Sequence, residues 1–141
     1  METENKTAIS VEATIAAPVE KVWKYWTEPN HMTQWNNAND DWHAPYAEND
    51  LKVNGKFKTT MAAKDGSVSF DFEGVYTNVE EFKVIEYTMS DGRQVKVSFK
   101  DLGDETKVVE TFDPESTNPI EMQRGGWQAI LNNFKKYTEK N

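Results

Sequence analysis

The sequence predicts an α+β fold, a curved antiparallel sheet of about seven strands around one long C-terminal helix, with two short helices after the first strand. Three observations carry this. Apolar and polar residues alternate at period two over residues 46–112, with a turn signal about every twelve residues. A full helix-start signal at Asn118-Pro119 precedes about twenty residues with helical periodicity. One strand and a helical stretch stand ahead of the meander.

Over residues 7–16, Ile9, Val11, Ala13 and Ile15 alternate with Ser10, Glu12 and Thr14, which describes a strand with one buried and one wet face. Pro18 suits a first helical position, and Val19, Val22, Trp23 and Trp26 follow at spacings of three and four. Pro29 resets the chain, and residues 30–35 make one or two further turns.

In the meander the punctuation is Asn54-Gly55, Asp65-Gly66, residues 78–81, Asp91-Gly92 and Gly103-Asp104. The clearest strand, 67–77, turns Val68, Phe70, Phe72, Gly74 and Tyr76 one way and Ser69, Asp71 and Glu73 the other. At ~3.3 Å per residue it runs roughly 36 Å and has to bend, with Gly74 as the expected place.

Turn length then sets register. A two-residue loop at Asp65-Gly66 places Phe70 opposite Met61, Phe72 opposite Thr59 and Phe57 opposite Gly74. At Asp91-Gly92 a two-residue loop would set Val97 against Glu86. A three-residue loop is expected there, pairing Val95 with Met89, Val97 with Tyr87 and Phe99 with Ile85. A two-residue loop at Gly103-Asp104 pairs Val95 with Phe112, Phe99 with Val108 and Val97 with Glu110, which points a carboxylate at the apolar face. Such a group must be protonated, hydrogen-bonded or met by a ligand. Gln123 and Arg124 are its candidate partners. A one-residue shift that turns Glu110 out and Val109 in is the expected escape.

The last helix has Asn118 as N-cap, Pro119 at the first helical position and Glu121 three after the cap. Ile120, Gln123, Trp127, Ile130, Leu131, Phe134 and Tyr137 trace one face, with Lys135, Lys136 and Glu139 expected to be wet. Gly125 and Gly126 fall inside the helix, where each costs ~1 kcal/mol relative to Ala. Close packing of helix on sheet is the expected reason, and free space is the other.

At 141 residues the chain is read as a single domain, 1–141, with 12% aromatic residues. Sixteen Lys+Arg against twenty-four Asp+Glu give a net charge of -8, which offers no electrostatic basis for binding nucleic acid. The absence of cysteine removes disulfides and thiolate chemistry. No apolar run approaches a membrane span, and the polar N-terminus carries no signal-peptide pattern, so a cytoplasmic monomer is expected.

No serine elbow or phosphate loop is present, so no catalytic residue is assigned. Asn39, Asp40, Asp41, Trp42 and His43, with His31, match no metal-ligand spacing. They read as a solvated loop whose Trp42 anchors on a cavity mouth, with no metal and no cofactor expected.

The motifs Ala16-Ala17-Pro18-Val19-Glu20-Lys21-Val22-Trp23, Trp35 and Asn49-Asp50-Leu51-Lys52-Val53-Asn54-Gly55-Lys56-Phe57 stand in an order shared with a known superfamily. Lys64-Asp65-Gly66, Phe72-Glu73-Gly74-Val75-Tyr76 and Gly126-Trp127-Gln128-Ala129-Ile130-Leu131 continue the match over nearly the whole chain. The sequence resembles the START-like (SRPBCC, birch-pollen-allergen-like) superfamily, in the branch similar to the C-terminal domain of the activator of heat-shock protein 90 ATPase. That resemblance implies a helix-grip fold with a deep apolar cavity between the sheet and the last helix. It also implies a small apolar or aromatic ligand of lipid, flavonoid or polyketide type. A chaperone-interacting protein, and a cyclase-type enzyme using Glu110, His43 or Asp41, are the alternatives. The residues expected to contact a ligand are Phe57, Met61, Phe70, Phe72, Tyr76, Tyr87, Val97, Phe99, Glu110, Gln123, Gly126 and Trp127.

Overall fold

Alternation at period two produces seven strands in one antiparallel sheet, seen in a computed structural model that describes residues 8–37 and 40–141. In chain order the elements are β1 (Ile9–Ile15), α1 (Val19–Thr27), α2 (Pro29–Trp35), β2 (Trp42–Asn49), β3 (Lys56–Ala63), β4 (Ser69–Glu80), β5 (Val84–Met89), β6 (Gln94–Asp101), β7 (Thr106–Phe112) and α3 (Ile120–Lys140). The spatial order β1-β7-β6-β5-β4-β3-β2 is a meander whose last strand is closed by the first. With α3 laid along it, the sheet forms the expected α+β helix-grip architecture. Among the described residues no helix is long and apolar enough to cross a membrane. Thr7 and Asn39 lie outside the described residues.

The two-residue loop at Asp65-Gly66 sets Met61 against Phe70, Thr59 against Phe72 and Phe57 against Gly74, as turn length demands. The β5–β6 turn has the expected three residues but sits one position earlier, over Ser90-Asp91-Gly92. Tyr87 therefore faces Val95 and Ile85 faces Val97, two residues from the expected partners. The reason is Gly92, at φ 93, because the last residue of such a loop takes the left-handed conformation. The Met89 N–H then donates to the Arg93 carbonyl at 2.7 Å. A shift of two leaves every side chain on its original face.

At Gly103-Asp104 the two-residue register holds, with Val97 against Glu110 and Phe99 against Val108. The expected slip that would expose Glu110 does not occur. Slipping β7 by one would also have turned Val108 and Phe112, both essentially unexposed, out of the core.

In β4 the irregularity lies between Tyr76 and Asn78, not at Gly74, and the strand continues to Glu80. The turn that follows holds Phe82 at φ 66, its ring edge-on to Trp23 at 5.9 Å. Gly74 serves close approach instead. A Cβ there would lie 2.8 Å from the Phe57 ring and from the Thr88 carbonyl oxygen.

α3 begins one residue later than expected, with the Pro119 carbonyl accepting from Met122 and Gln123 N–H. Asn118 is not the side-chain cap, since its amide donates to Glu115. Leu131, Phe134 and Thr138 are fully buried, and Phe134 stands edge-on to Trp26 and Trp35 at 4.8 and 4.9 Å. Ile120, on the predicted apolar face, is exposed.

The outer edge of β1 is covered by side chains of α3. Gln128 Nε2 donates to the Glu12 carbonyl (3.1 Å), Lys135 Nζ to the Thr14 carbonyl (2.8 Å), and the Ala16 N–H donates to Glu139 Oε2 (2.8 Å). Lys135 is therefore half-buried instead of wet. At the opposite edge, the β2 register breaks between His43 and Tyr46, a stretch that holds Pro45, a known way of blunting an edge strand.

Candidate functional site: an apolar cavity between sheet and helix

Inward residues of β3, β4 and β5 do not reach α3 everywhere, and a cavity of about 400 Å³ remains between them. Phe57 organises the sheet wall. Its ring lies 5.6 Å from Phe72, 5.3 Å from Tyr76 and 4.7 Å from Tyr87, and the absence of a side chain at Gly74 gives it room. Met61, Thr59 and Ile85 extend this wall at the same parity.

Trp127 and Ile130 line the cavity from α3. The Trp127 indole is stacked on Phe112 at 3.9 Å and 11° and meets Phe72 edge-on at 6.1 Å. Trp26, Met32 and Trp35 from α1 and α2 close one end. Phe70, half exposed at 50%, brings the cavity to the surface, with Trp42 edge-on to it at 5.9 Å.

Polar groups on these walls are few. The Tyr76 hydroxyl donates to Asn49 Oδ1, and the Asn49 amide donates to the Thr27 carbonyl at 2.7 Å, tying β2, β4 and α1 together. Gln123 is buried and consumed by the loop before α3, where it contacts the Glu115 N–H, the Glu115 carbonyl and the Asn118 carbonyl. The Asn118 N–H and amide hold the Glu115 carboxyl below the usual carboxylate range, helped by the Thr117 N–H. Arg93, at the β5–β6 turn, is held by Asp91 at 2.8 Å.

Glu110 differs from all of these. Only 6% of it is exposed, it lines the cavity, and neither expected partner reaches it: Gln123 is engaged as above, and Arg124 pairs with Glu121. Burial pushes its pKa up to about 8. Burial, followed by the charge of Glu110, raises Tyr87 well above the usual phenol range.

Nine of the twelve expected ligand-contact residues stand on the cavity wall: Phe57, Met61, Phe70, Phe72, Tyr76, Tyr87, Glu110, Gln123 and Trp127. Val97, Phe99 and Gly126 do not. Val97 is fully buried in the core, and Phe99 packs edge-on to Trp23 and Trp26. At Gly125 and Gly126 a Cβ would meet nothing within 4 Å, so close packing does not explain the pair.

The sequence reading passed over Thr59 and Ile85 as wall residues, although their parity with Phe57 and Tyr87 signalled them. Trp26, Met32 and Trp35 had no such signal, because only the packing of two short helices across one end brings them here. Trp42 stands at the mouth as expected, but it and His43 begin β2 and are not loop residues. The histidines have separate surroundings. His31 stacks on Tyr25 at 4.0 Å and bonds the Tyr137 hydroxyl at 2.7 Å, while His43 is exposed. Among the described residues no group of three or more His, Asp or Glu could hold a metal ion.

Known structures share this architecture. The solution structure of the AHSA1-like protein from Aeromonas hydrophila is 45% identical, with 95% of this chain and 93% of that one covered and a TM-score of 0.89. A protein from Cytophaga hutchinsonii is 60% identical over 95% and 93% of the two chains, with a TM-score of 0.82. A Nitrosomonas europaea protein at 18% identity, covering 99% of both chains with a TM-score of 0.83, shares the fold. No curated protein matches. The model of the family described as Activator of Hsp90 ATPase homolog 1-like protein matches residues 16–139, and the chain belongs to that family, within the START-like superfamily.

Proposed function

We propose that this protein carries a small, largely apolar molecule in the cavity between β3–β5 and α3. The observation that carries the reading is the unfilled volume of about 400 Å³ lined by aromatic side chains. Interiors normally pack to crystal-like density, and a cavity of a few hundred Å³ with apolar walls and a few polar groups is the usual form of a small-molecule site. Rings such as Phe57, Phe72 and Trp127 offer flat faces and large apolar area at low conformational cost. A role in binding a chaperone, which the family's name raises, would be served equally well by a filled interior. The hollow one supports the carrier reading.

The test is native mass spectrometry of protein freshly purified from its own host, followed by a panel of aromatic and aliphatic ligands with chemical-shift mapping. A co-purified small molecule, or shifts at Phe57, Phe72 and Trp127, is the expected result. Ile130→Trp should fill the helix side of the cavity and weaken binding by about tenfold or more. Shifts confined to the outer sheet face would place the site elsewhere and end this reading.

A further inference from the structure

Among the described residues the carboxyl of Glu110 and the hydroxyls of Tyr87 and Thr59 line the cavity without a hydrogen bond to protein, as do the indole N–H groups of Trp26, Trp42 and Trp127. The carboxyl and the two hydroxyls lie on buried faces of their strands, yet the one sealed, unpartnered side-chain atom among the described residues is Thr138 Oγ1, so these three groups open on the cavity. A polar group without a protein partner among apolar walls is costly, and one that opens on a cavity is available to a ligand.

The surroundings determine what Glu110 can offer. Its cross-strand neighbours are Val11 on β1 and Val97 on β6, and Trp127 and Ile130 face the cavity from α3. Arg93, the basic side chain on this cavity, is occupied by Asp91. With apolar walls and no cation beside it, the carboxyl keeps its proton and is an O–H donor. Tyr87 and Thr59 are O–H donors as well, so the site is rich in donors that need an acceptor.

Resting on the carrier reading, we propose that the cavity selects a neutral apolar molecule through a carbonyl oxygen that accepts a hydrogen bond from the Glu110 carboxyl. An amine would instead require this carboxyl to ionise among apolar walls, and a ligand carboxylate would bring a bare charge into the same space. The other titratable groups on the cavity are Tyr76 on β4, Tyr87 on β5, Arg93 on the β5–β6 turn and Glu115 before α3. Burial raises both tyrosines, and Glu115 is lowered by the amides of Asn118. Glu110, raised by burial to about 8, is thus the group set to change charge in the mildly basic range.

Three probes of similar shape separate the possibilities: acetonaphthone, ethylnaphthalene and naphthylethylamine, titrated by calorimetry from about pH 6.5 to about pH 9.5. The wild type should bind the ketone about threefold to tenfold more tightly than the hydrocarbon at the low end. That advantage should fade as pH rises through the Glu110 transition. Glu110→Gln, whose amide N–H still donates, should keep the ketone preference and lose its pH trend. Glu110→Leu should bind both neutral probes alike, with thermal melting confirming its fold. Carbon-13 titration of the Glu110 carboxyl should show its pKa moving up when the ketone binds.

Equal wild-type affinity for ketone and hydrocarbon would overturn the inference and leave the carrier reading standing. So would a preference for the amine that strengthens with pH, which would make Glu110 a counter-ion. Failure of every probe to bind would count against both.

Discussion

The two ends of α3 do different work with the same periodicity. Toward its C-terminus, Leu131, Phe134 and Thr138 are fully buried, and Phe134 is clasped by Trp26 and Trp35. Toward its N-terminus, Met122 and Ile120 are exposed, Gly125 and Gly126 border open space, and Trp127 rests on Phe112 beside the cavity. One end is an anchor built to interior density, and the other is a wall with room in front of it. A single amphipathic helix can thus hold a sheet firmly and still leave a chamber beneath it, provided the bulky residues are confined to one half.

Breaking the anchor should cost most. Phe134→Ala is expected to destabilise the fold by about 3–5 kcal/mol in urea melts, and Trp127→Ala by about half as much, because partly buried Trp127 already borders empty space. Equal costs would erase the distinction between the two ends.

Glu110 tests the wall. Between about pH 4.5, where an ordinary glutamate loses its proton, and about 8, where this one does, folding takes up a proton. Stability from this group therefore falls as pH rises across that window and levels off above it. Glu110→Gln should remove that slope and raise stability near neutral pH by up to about 3 kcal/mol, as seen in denaturant melts at several pH values. An unchanged slope would mean that the carboxyl is ionised and paired in solution.

The smallest effect carries the opposite sign to that of Phe134→Ala. Gly126→Ala adds a methyl group where nothing stands within 4 Å and should stabilise the protein by about 0.5–1 kcal/mol in thermal melts. A loss instead would show that the helix packs more tightly there than the structure indicates.

Most of the frame was legible because turn length and side-chain parity are local properties. The Asp65-Gly66 loop alone located Phe57, Met61, Phe70 and Phe72 on one wall. The β5–β6 turn was placed one residue late because either position keeps the apolar face inward, and only the left-handed glycine separates them. Glu110 was harder. A local reading rewards moving a charge outward, whereas the sheet holds it inward because Val108 and Phe112 on the same face bury more by staying. The contributions of Trp26, Met32 and Trp35 depend on how two short helices cross the sheet, and no pattern within one element encodes that.

The covering of β1 by Gln128, Lys135 and Glu139 bears on how the chain is made. β1 leaves the ribosome well before its sheet partner β7 (Thr106–Phe112), and the side chains that mask its free edge come later still. Until β7 is made, β1 is an apolar strand with both margins unpaired, the kind of segment that joins strands of other nascent chains. The sheet is completed when β7 arrives, but its β1 edge stays open until α3 does. A ribosome stalled before α3 would release a chain with its stickiest margin uncovered.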